Sequence, residues 1–83
     1  MKYYKIVYTY YSKGIEEEEI TVKKQSMFEA LAYVRSTAHL FCLEDFCVRK
    51  VYVETEDGTA WAEVPDWADM ENEYQRENTK KRT

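Results

Sequence analysis

Glycine and proline together supply three of the 83 residues, so the chain has few sharp turns and no stretch that reads as a linker. Histidine occurs once and cysteine twice, which leaves no disulfide framework of the secreted kind. No apolar run approaches the roughly 18 residues of a membrane span. The first residues show no apolar core followed by a small-residue cleavage pattern, so neither a signal peptide nor a membrane partner is expected, and the expected location is cytoplasmic. No phosphate-cradling glycine loop and no nucleophile elbow is present.

What is present is acid and aromatic. Sixteen acids face twelve Lys and Arg, for a net charge of -4. Three of those cations, Lys80, Lys81 and Arg82, lie at the end of the chain, so the body is more acidic still. Such a body repels phosphate backbones and favours a basic protein surface. Tyrosine contributes eight residues, and aromatics 16% of the chain. Tyr pairs a large apolar ring with a polar tip, which suits half-buried sheet faces and interfaces.

Lys2 to Tyr11 reads as a strand, with Tyr4, Ile6, Tyr8 and Tyr10 on one face and Tyr3, Val7 and Tyr11 on the other. Ser12-Lys13-Gly14 is a three-residue turn in which Gly14 is expected to take positive φ. Ile15 to Lys24 returns as a second strand, and the run Glu16 to Glu19 faces Tyr8 to Tyr11 at a solvent-projecting tip. Ser26 with Glu29 forms a capping box. Met27, Leu31, Val34, Ala38 and Phe41 then make one helical stripe, predicting a helix from Met27 to about Phe41.

Phe46 to Glu56 reads as a third strand, with Cys47, Val51 and Val53 on one face and Phe46, Val48 and Tyr52 on the other. Asp57-Gly58 predicts a two-residue type I′ turn into a short strand, Thr59 to Val64. Pro65 ends that strand. Asp66 caps a last helix with Trp67, Met70 and Tyr74 on its narrow apolar side. The order β-β-α-β-β-α predicts an α+β domain: a four-stranded antiparallel sheet, one helix across a face and a short C-terminal helix. The domain is expected to span 1–78, with 79–83 a flexible basic tail.

The functional expectation is a small non-enzymatic module that binds another protein, such as a regulator or inhibitor of a basic partner. Tyr10, Tyr11, Glu16, Glu18 and Trp67 are the expected contacts, with charge steering the encounter and rings supplying area. A second copy of the chain is an alternative partner. The rival reading is nucleic-acid binding on the face around Phe46, Arg49, Lys50 and Tyr52, with aromatics to stack bases. A small enzyme is a third reading. His39, Cys42 and Cys47 form an H-x2-C-x4-C pattern, one ligand short of a structural zinc site, so no metal and no cofactor is expected.

Overall fold

Tyr4, Ile6 and Val51 meet at the centre of a four-stranded sheet, and Leu31 of the crossing helix closes over them; Ile6, Val51 and Leu31 are fully buried. The computed structural model describes residues 1–81, and side chains through Asn78. Its elements are β1 (Lys2–Tyr11), β2 (Ile15–Lys24), α1 (Met27–Leu40), β3 (Glu44–Glu54), β4 (Trp61–Glu63) and α2 (Trp67–Lys81). The sheet order is β2-β1-β3-β4, every neighbouring pair antiparallel. The expected α+β architecture is therefore the observed one. The chain leaves β2, crosses over β1 as α1 and returns as β3.

Ser26 caps α1 by accepting the Glu29 N–H at 3.2 Å, and Glu29 in turn accepts the Gln25 N–H at 3.2 Å. Met27, Ala30, Leu31, Val34 and Ala38 are the buried stripe. Phe41, expected to continue it, is instead the C-cap residue and 73% exposed. The helix stops in a Schellman motif. Leu43 N–H donates to the Ala38 carbonyl, and Cys42 N–H to the His39 carbonyl. Cys42 occupies the left-handed position with φ 54.

Three expectations about turns and register need correction. In the first hairpin the left-handed residue is Lys13 (φ 65), not Gly14. The Asp57-Gly58 turn is not a two-residue I′ connection. Strand pairing ends at Glu54 and Trp61, and a turn from Thr55 to Gly58 closes with Gly58 alone at φ 72. Asp57 accepts from Thr55 Oγ1 at 2.6 Å and Thr59 N–H at 3.2 Å, which holds its carboxyl below the usual pKa.

The third correction decides the faces of the sheet. β3 does not alternate strictly, because Val7 pairs with Lys50 while Tyr8 pairs with Val48, leaving Arg49 as a bulge. The bulge returns Val48 to the face of Val51, and both are buried in one core. Phe46 follows onto that face, against Tyr8, with ring centroids 5.2 Å apart. Tyr52 pairs with Lys5 on the opposite face.

Both helices lie on the Tyr4–Ile6–Tyr8 face. The ring of Tyr74 from α2 stacks on Phe28 of α1 at 4.1 Å, and Glu71 pairs with Arg35. Trp67 packs half-buried against the core. α2 keeps helical backbone to Lys81; the expected tail over 79–83 otherwise lies outside the described residues. No helix among the described residues is long and apolar enough to cross a membrane.

Candidate functional site

A three-residue turn makes the register of the β1–β2 hairpin unambiguous: Tyr8 faces Glu18 and Tyr10 faces Glu16. Side chains directly opposite in an antiparallel pair share a face. Two tyrosines and two glutamates therefore stand on the helix side of the sheet. The hairpin is longer than α1 needs, and β2 is exposed from Ile15 to Glu19. Where α1 ends, a wedge opens between the helix terminus and the hairpin.

That wedge is a cleft of about 480 Å³. Tyr8, Tyr10 and Ile20 form its floor, Phe41 and Leu43 the helix-end wall, and Phe46 the far side. Tyr8 and Tyr10 have ring centroids 6.2 Å apart. The Glu18 carboxylate spans them, accepting the Tyr8 hydroxyl at 3.1 Å on one oxygen and the Tyr10 hydroxyl at 3.2 Å on the other. Each oxygen keeps further lone-pair capacity for a donor that enters the cleft. None of the residues lining the cleft is Lys, Arg or His.

The electrostatics are of one sign. Burial raises the pKa of Tyr8, reinforced by its hydrogen bond to Glu18. Tyr10 is also raised, by desolvation and then by the charge of Glu18. Both phenols therefore stay protonated and donate to the carboxylate at neutral pH. The carboxyl end of α1, the negative end of its dipole, borders the same space. Aromatic faces, a fixed carboxylate and a helix C-terminus together favour a cation.

Of the expected contacts, Tyr10, Glu16 and Glu18 come together on this side. Tyr11 points to the opposite face and is 48% exposed. Trp67 is held against the core at the start of α2. Sequence reasoning missed Phe41, Leu43 and Phe46 as cleft walls. Phe41 read as core because it completes the heptad-like stripe, and only the end of the helix at Leu40 turns it outward.

The expected nucleic-acid face is divided by the bulge. Phe46 lies on the helix side, whereas Tyr52, Arg49 and Lys50 lie on the open side. His39 and Cys42 are exposed and Cys47 is half-buried, and no three His, Cys, Asp or Glu among the described residues converge to hold a metal. Comparison with known protein families, curated proteins and solved structures finds no match.

Proposed function

We propose that this chain is a protein-binding module that receives a Lys or Arg side chain of a basic partner in the Tyr8–Tyr10–Phe41–Phe46 cleft. One observation carries the reading: a carboxylate held by two phenol hydroxyls lines an open aromatic cleft that lacks a cation of its own. Glu18 would neutralise the incoming charge, and the rings would cover its alkyl stem. Glu16, Glu17 and Glu19, all exposed, extend the acidic surface along the hairpin and would speed encounter. The hydroxyls beside Glu18 have raised pKa values, the opposite of an activated tyrosine nucleophile, which suits them to hold the carboxylate as donors. Two unpaired cysteines suit a reducing compartment, which supports a module working in the cytoplasm.

The test uses small probes. N-acetyl-lysine methylamide and its arginine counterpart are titrated against the labelled protein and followed by NMR, with the norleucine analogue as neutral control. Saturable shifts at the rings of Tyr8, Tyr10 and Phe41, absent with norleucine and weakened about tenfold by Glu18→Gln, are expected. Tyr10→Ala should lose the effect and Tyr11→Ala keep it. Equal binding of norleucine, or shifts confined to the open sheet face, would sink the reading.

A further inference from the structure

On the face of the sheet turned away from both helices, three of the five outward residues of β1 lie between charges of opposite sign. β1 runs between β2 and β3, so each outward residue of β1 is flanked by one residue on either side. Beside Val7 these are Glu19 and Lys50. Beside Thr9, β2 supplies Glu17, and Arg49 reaches in from β3 to donate its Nε–H to the Thr9 hydroxyl at 3.0 Å. Beside Tyr3, β2 supplies Lys23 and β3 supplies Glu54, whose carboxylate accepts the Tyr3 N–H at 3.1 Å. In all three rows the charge on the β2 side is opposite to the charge on the β3 side. The two members of a row stand on strands roughly 9.5 Å apart, two strand spacings, and no ion pair joins them among the described residues.

This pattern matches its own image. A two-fold axis laid along β1 in the plane of a face-to-face contact exchanges the β2 side of one copy with the β3 side of the other. Glu19 then meets Lys50, Glu17 meets Arg49 and Lys23 meets Glu54, each twice, while Val7 meets Val7. Lys5, the one charged residue on the outward side of β1, also falls on the axis, and its ammonium is drawn off it over the rings of Tyr52 and Trp61, 5.1 Å from each centroid. The bulge adds the Arg49 row to that of Lys50, since it places both cations on the same face.

We infer that the open sheet face is a homodimer interface, with two copies packed sheet to sheet about a two-fold axis parallel to β1. The surface area supports an occupant of this size. The chain exposes 6235 Å². A monomer of its mass is expected to expose about 5,200 Å². The radius of gyration is 13.7 Å, against roughly 11.8 Å for a compact chain of this length. The excess of about 1,000 Å² approximates one partner's share of a standard interface, about 800 Å². The extents of 41 × 39 × 20 Å are those of a broad thin slab, which a second layer on the open face would thicken. The inference is independent of the cleft, which lies on the other face.

Sedimentation equilibrium of the full chain, from about 1 to 300 μM, reads the association directly. A dimer that loosens as salt rises is expected. Glu19→Lys and Lys50→Glu each set like charges opposite one another at two places, and each should weaken the dimer on the order of tenfold to a hundredfold. An equimolar mixture of the two variants should recover near-native association. In the mixed dimer the two substituted side chains carry opposite charges and face each other, and the native Lys50 of one chain faces the native Glu19 of the other. Circular dichroism checks that both exposed substitutions leave the fold intact, and Glu17→Lys repeats the test one row along. A wild-type chain that stays monomeric throughout, a dimer indifferent to the reversals, or a mixture that fails to recover would each overturn the interface.

Discussion

Replacing Cys42 by glycine should stabilise the protein. The residue follows the C-cap of α1 with φ 54, in the region that L side chains rarely adopt. The left-handed conformation costs a non-glycine residue roughly 1–2 kcal/mol. Glycine removes that strain but releases an unfolded chain with about 0.5–1 kcal/mol more conformational freedom to lose. The net gain is about 0.5–1 kcal/mol, or a rise in Tm of about 2–8 °C for a domain this small. The thiol is exposed, so little packing is lost. Cys42→Ala is the control, since it removes the sulfur and keeps the strain; it should leave Tm nearly unchanged. Thermal unfolding by circular dichroism reads all three proteins. If glycine lowers Tm, or if alanine stabilises as much as glycine, the Schellman strain is not what Cys42 contributes.

Two more outcomes follow from the packing. Glu18→Gln should lower the ionisation midpoints of Tyr8 and Tyr10 in a spectrophotometric titration, because the carboxylate disfavours both phenolates. The sign for stability is set by the same shifts: native pKa values raised above the unfolded value of about 10 stabilise the fold below that pH, a contribution lost as pH rises through the native values. Tyr74→Ala should cost about 1–2 kcal/mol in urea unfolding through the lost stack on Phe28, and should speed amide exchange in α2 more than in α1.

The first half of the fold was legible because each of its signals is local. Alternation in β1, the capping box of Ser26 and Glu29, and the stripe from Met27 to Ala38 depend on residues within a few positions of one another. The second half turned on phase. Phe46, Val48, Val51 and Val53 are two alternating pairs separated by one extra residue, and strict period two cannot hold all four on one face. The jump in phase is itself the mark of a bulge, yet it distinguishes a bulge from a buried position on the opposite face only once the partner strand is known. The Asp57-Gly58 pair misled for a related reason. A type I′ turn needs positive φ at both residues, and Asp57 instead spends its carboxylate on Thr55 and Thr59. In the site, the acids opposite Tyr8 and Tyr10 were readable from turn length alone, whereas the cleft needed the end of α1 and the far side of the bulge.

The bulge at Arg49 ties the two proposed surfaces together without making either depend on the other. By sending Phe46 inward it completes the aromatic cleft, and by leaving Arg49 and Lys50 outward it supplies the cations that answer Glu17 and Glu19 across a two-fold axis. An axis parallel to β1 preserves the strand direction, so both acidic hairpins of a dimer would project from the same end. The clefts would then open on opposite outer sides, roughly 20–25 Å apart given a sheet spacing of about 10 Å and half a helix layer on each side. A partner with one basic side chain could use one cleft, but a segment with two cations at that separation could use both, the second encounter being intramolecular. Such a dimer would discriminate between basic partners by the spacing of their charges more than by the charge itself, which a single shallow cleft could not do.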